Sequence, residues 1–122
     1  MSTWVWVGVA LLSGIAAIGR FLVIALVSSR TRSGRFPLGT FAVNITGALL
    51  LGLLTGLAVE GDALVLLGAA TLGSYTTFST WMLETQRLTE DGQVFLAALN
   101  IVLSLTVGVG AVALGRVIGA HL

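Results

Sequence analysis

The chain has 122 residues, of which 57% are hydrophobic and 9% charged, where a water-soluble domain carries about a quarter charged residues. Six arginines against five acids leave a net charge of +1, and no basic stretch is interleaved with aromatics, which argues against a nucleic-acid partner. Cysteine is absent, which excludes a disulfide framework and a thiolate metal site, and the single histidine, His121, sits beside the C-terminus as a solvated residue.

The charges fall in a few places. Residues 1–29 carry only Arg20, and residues 36–59, 63–83 and 92–115 carry none. Each run is long enough to cross a hydrocarbon core, which takes about 20 residues as a helix. The expectation is an all-α membrane protein with four spans, roughly 4–28, 38–59, 62–90 with a break inside, and 93–119, forming one domain over residues 1–122. The N-terminal "MSTWVWVGVALL" has no basic region ahead of its apolar run and reads as a retained helix.

The first connection, "SSRTRSGRFPLGT" at 28–40, holds three arginines and the only proline and reads as an aqueous loop. Pro37 is expected in the first turn of the second span, where a missing N–H costs little. The second connection is the short "EGD" at 60–62. The third is "ETQRLTEDGQ" at 84–93, with Gly92 at a helix boundary. Short connections imply antiparallel neighbours.

Sixteen glycines are too many for isolated helices; in lipid, small residues let backbones approach closely. Ala48, Gly52 and Gly56 recur every four residues in the second span, and Gly108, Gly115 and Gly119 lie near one stripe of the fourth. Tight packing explains most of them. Four such short helices enclose little alone, and a dimer is expected.

Several polar residues fall at membrane depth. Asn44 shares the small-residue face of the second span, and Asn100, Ser104 and Gly108 form a similar stripe in the fourth. Buried amides need partners, so Asn44 serves either interhelical bonding or the lining of an ion path. Arg20 is a functional candidate by its cost alone, or it snorkels toward the loop arginines. In "TLGSYTTFSTWMLET", Gly73 followed by Ser74, Tyr75 and two β-branched threonines weakens helix propensity. A break at membrane depth is tolerated where protein or an ion pathway satisfies the freed backbone. Phe78 and Trp81, with Glu84 and Thr85, share one helix face. The aromatics are either core packing or positive ring edges facing an anion.

Two stretches, "GRFPLGTFAVNITGALLLG" at 34–52 and "GSYTTFSTWMLE" at 73–84, strongly resemble the Fluc (CrcB) fluoride channels. The Gly19–Arg20 pair and Ser104 with Gly108 also fit, and the resemblance covers nearly the whole chain. It implies an antiparallel, dual-topology dimer in the inner or plasma membrane that exports fluoride passively through two pores along the interface. It implies a structural sodium ion at the centre, held by backbone carbonyls of the broken third helix, here those of Gly73 and Thr76. The implied pore residues are Asn44, Phe78, Ser79, Thr80, Trp81 and Ser104, with Glu84 as the acid after the aromatic motif and Arg20 as the first-span arginine. Trp81 departs from the family, which usually has phenylalanine there; indole keeps a positive edge, is bulkier and adds an N–H donor.

Two other readings compete. A small proton-coupled multidrug-type exporter needs a membrane-embedded carboxylate, and none precedes Glu84. A non-transporting assembly protein of the membrane would use its glycines and polar residues for packing alone. An enzyme is disfavoured because no nucleophile–base pair, metal cluster or phosphate loop is visible. Finally, Arg30, Arg32, Arg35 and Arg87 lie on one side of the expected topology and Arg116 on the other, which favours one orientation. The dimer partner is then either a second copy or an oppositely oriented paralogue.

Overall fold

The computed structural model describes residues 1–31 and 35–122; Arg32, Ser33 and Gly34 of the expected first loop lie outside the described residues. Among the described residues every regular element is helical. Helix α1 (Thr3–Arg30) starts where Ser2 Oγ accepts the Val5 N–H at 3.3 Å, satisfying one of the donors a helix start leaves free. Helix α2 (Leu38–Gly56) follows directly after Pro37, which precedes the first turn and does not lie within it. Ala58 and Gly61 then reverse the chain at positive φ (58° and 62°).

The region expected as one broken span is made of short pieces. They are α3 (Gly61–Leu64), a π-helical stretch (Val65–Leu72), α4 (Gly73–Tyr75) and α5 (Phe78–Glu90). In the π-helical stretch, Thr71 Oγ1 donates to the Leu66 carbonyl at 2.7 Å and Ser13 Oγ of α1 donates to the Ala70 carbonyl at 3.3 Å. Such side chains meet backbone acceptors that irregular winding frees. Gly92, at φ +77°, ends α5 while the Gln93 N–H turns back to the Leu88 carbonyl at 2.8 Å, a glycine-dependent helix stop. Helix α6 (Val94–Ala120) completes the chain. Among the described residues three helices, α1, α2 and α6, are long and apolar enough to cross a membrane.

The tightest packing is between α2 and α6. A Cβ added at Gly52 would fall on the Val112 carbonyl, one at Gly56 on the Arg116 carbonyl, and one at Gly115 on the Leu49 carbonyl. Gly119 meets the Leu53 carbonyl in the same way, at 2.5 Å. The two helices therefore touch backbone to backbone over several turns, as small residues in lipid permit. Two expected members of these stripes do something else. Gly108 has only an ordinary contact with Ile45, at 3.8 Å, and Ala48 lines an open groove. Helix α1 joins through Gly39, where an added Cβ would stand 2.9 Å from the Ile24 carbonyl oxygen.

Candidate functional site

Between α4 and α5 the helical path is interrupted. Thr76 and Thr77 are both extended (φ −81°, ψ 161° and φ −145°, ψ 123°). An interruption of this kind strands backbone donors and acceptors that each cost free energy if left unpaired. Asn44 of α2 meets two of them. Its Oδ1 accepts the Thr77 N–H at 2.8 Å and its Nδ2 donates to the Thr77 carbonyl at 3.0 Å, so one amide stands in for a neighbouring strand. Arg20 of α1 reaches the next carbonyl, donating from Nη1 to Thr76 O at 3.4 Å. Its guanidinium is directed at the interruption. The Thr77 side chain caps α5, its Oγ1 accepting the Thr80 N–H at 3.2 Å.

This arrangement has a consequence for Gly73. Its ordinary helical partner is the N–H four residues on, that of Thr77. Asn44 holds that N–H, so the Gly73 carbonyl loses its α-helical bond. The absence of a side chain at position 47 lets Thr76 pack directly on α2. Tyr75 OH, 3.0 Å from Thr46 Oγ1, fixes the approach from the other side.

A groove of about 860 Å3 runs along this junction. Of the residues expected at the site, it brings together Asn44, Gly73, Thr76, Phe78, Trp81 and Ser104. Asn44 has spent one of its two amide hydrogens on Thr77 O, leaving the other. Ser104 Oγ is buried and has no hydrogen-bond partner among the described residues. Phe78 stands 69% exposed, and its ring meets that of Trp81 edge to face, 5.7 Å between centroids at 84°. Among the described residues no acid or arginine lines this groove.

Four expected site residues lie off it. Ser79 and Thr80 sit in the first turn of α5, grouped around Thr77 Oγ1 at 3.5 and 3.1 Å. Arg20 approaches from the α1 side. Glu84 lines a second cavity of about 370 Å3 with Thr40, Arg35, Arg87 and Asp91. There Glu84 Oε1 and Thr40 Oγ1 are both buried without a hydrogen-bond partner among the described residues. The indole N–H that Trp81 adds at this position is given to the Asn100 carbonyl at 3.1 Å. Thr77 and Thr40 are the site residues that sequence reasoning missed. Thr77 is visible in the double threonine after Ser74–Tyr75, but which threonine would cap α5 depends on where the helix resumes.

A family model described as CrcB-like protein, Camphor Resistance (CrcB), matches residues 7–116. The chain belongs to the CrcB family. It is 54% identical over 112 residues to the fluoride-specific ion channel FluC 2 of Mycobacterium tuberculosis (strain ATCC 25618 / H37Rv), covering 92% of this chain and 88% of that protein. Identity to the fluoride-specific ion channel FluC 1 of Symbiobacterium thermophilum is 45% over 122 residues, covering 96% of this chain and 97% of the relative. To the FluC 2 of Haloarcula marismortui it is 54% over 78 residues, covering 62% of this chain. CrcB membership makes the chain a multi-pass membrane protein of an ion-channel family and not an enzyme.

Proposed function

We propose that this CrcB-family chain is a passive fluoride-selective channel that exports fluoride from the cytoplasm across the cell membrane and so lowers its toxicity. One observation carries the reading beyond kinship. Residues carrying uncharged donors line the groove together: Asn44, with one amide hydrogen unspent, Ser104, whose hydroxyl has no partner among the described residues, and the aromatic rings of Phe78 and Trp81. Fluoride is small and strongly hydrated, so a pore must replace its water with several weak donors. A full positive charge in direct contact would hold the ion too tightly, because conduction requires that it leave again. Aromatic ring edges carry the partial positive charge of the ring quadrupole and suit the task. The absence of a carboxylate from the groove counts against a proton-coupled exporter.

The groove is open on one side, and a second copy of the chain in antiparallel orientation, or an oppositely inserted paralogue, closes it in this reading. The pieces from Gly61 to Glu90 then make the remaining crossing, interrupted at Thr76 and Thr77. Neutral carbonyl oxygens at a helix interruption suit a hard monovalent cation, and the Gly73 carbonyl is released by Asn44 for such use. Gly73 and Thr76 carbonyls from both copies would hold a structural sodium ion, whose charge favours an anion nearby. Arg20 donates to Thr76 O at 3.4 Å, which leaves that oxygen a second lone pair for a cation.

Purified protein in liposomes tests the reading. Fluoride is expected to leave rapidly under its gradient while chloride stays near the leak of empty vesicles. Equal fluoride and chloride efflux, or none of either, overturns it, and the second result would leave the non-transporting assembly reading standing.

A further inference from the structure

Trp81 begins and ends a closed ring of hydrogen bonds that no pore role accounts for. Its Nε1 donates to the Asn100 carbonyl of α6 at 3.1 Å. The Asn100 side chain returns the contact, Nδ2 donating to Thr85 Oγ1 at 2.9 Å. The Thr85 hydroxyl then donates to the Trp81 carbonyl, one turn back on α5, at 2.8 Å. Asn100 is 1% exposed, so its amide has no water to replace a lost partner. Neither Asn100 nor Thr85 lines the groove that Trp81 lines; whatever they do for an ion there, they do through the indole.

We propose that Asn100 and Thr85 are positioning residues for the anion path, holding the Trp81 indole with its N–H spent on the α6 backbone so that only carbon-bound ring edges face a passing ion. The proposal rests on the fluoride-channel reading. Among phenylalanine, tyrosine and tryptophan only the indole carries an N–H donor. Presented to a small anion in a groove away from water, it would form a charge-assisted bond roughly twice as strong as a neutral one. An ion so held leaves slowly. A phenylalanine at position 81 has no such donor and needs no such ring. The tryptophan of this chain is thus accommodated by converting its strongest donor into a tie between α5 and α6. The same tie fixes the ring against which Phe78 stands edge to face, 5.7 Å away.

The test uses the full chain with Trp4→Phe and Trp6→Phe, which leaves Trp81 as the one indole, labelled with 15N. Thr85→Val removes the hydroxyl at nearly constant volume, and Thr85→Ser keeps it. Thr85→Val is expected to move the Nε1–H resonance of Trp81 and speed its exchange with solvent, and to slow fluoride efflux about fivefold, the size of coupling between contacting residues. Thr85→Ser restores both. In a Trp81→Phe background, Thr85→Val is expected to leave efflux unchanged, because no N–H remains to be held. A purely structural role predicts the same loss in both backgrounds, and that result overturns the proposal, as does an unmoved Nε1–H resonance in Thr85→Val. If the unmodified chain passes no fluoride, the channel reading fails and the positioning role with it. If it conducts and the two backgrounds lose flux equally, the proposal alone fails.

Discussion

Helix α2 meets the rest of the molecule in two different ways. Toward α6 it presents Gly52 and Gly56, and backbone lies on backbone with no side chain between. Toward the interruption at Thr76 and Thr77 it presents Asn44, Thr46 and Gly47, and side chains replace backbone hydrogen bonds that the chain has given up. The first contact is close, repetitive and indifferent to chemistry, provided the residues are small. The second is specific in every atom. The comparison teaches where this chain keeps its rigidity and where it keeps its chemistry. A seam whose backbone groups are bonded within their own helices has little to offer an ion, whereas a junction rich in orphaned donors and acceptors has spare capacity once its own backbone is satisfied.

The two regions should fail differently. The largest effect is expected from Gly52→Val, which places a branched side chain on the Val112 carbonyl. Overpacking typically costs about 1–3 kcal/mol even where side chains can give way, and here the obstacle is backbone. Gel filtration in detergent should show loss of the monodisperse protein. Next comes Asn44→Leu, similar in volume, which strands the Thr77 N–H and carbonyl together. With about 1–3 kcal/mol for each buried unpaired group, thermal unfolding should show a clear loss of stability with the protein still recoverable. The smallest effect is expected from Gly110→Ala, because nothing lies within 4 Å of the added Cβ. Its unfolding should match that of the unmodified chain, and a large loss there would mean that the seam is not what makes glycine necessary.

Much of the seam was legible in the sequence and the junction only partly so. Small residues at helical spacing announce close packing, and Gly52, Gly56, Gly115 and Gly119 do what that spacing implies. Ala48 and Gly108 share the same pattern yet face the groove, because spacing fixes a face and not the neighbour that covers it. Weak helix propensity after Gly73 pointed to the interruption. The pairing of Asn44 with both backbone groups of Thr77 was not legible, since it joins residues 33 positions apart. The sequence shows that Trp81 adds an N–H donor but not what takes it. The α6 carbonyl that takes its N–H belongs to the backbone, and a backbone acceptor leaves no mark on residue type.

The claim that the polar junction carries transport is tested most directly by Asn44→Asp in the liposome assay. The aspartate keeps an oxygen for the Thr77 N–H, gives up the donor to the Thr77 carbonyl and puts a negative charge in the groove. At about 4 Å and an effective dielectric of about 20, like charges repel by about 4 kcal/mol, enough to slow an anion by a hundredfold or more, since about 1.4 kcal/mol is tenfold. The account predicts protein that elutes as the unmodified chain does and loses its fluoride efflux. Efflux within twofold of the unmodified chain would contradict it, and would leave Asn44 as a packing residue beside an ion path that runs elsewhere.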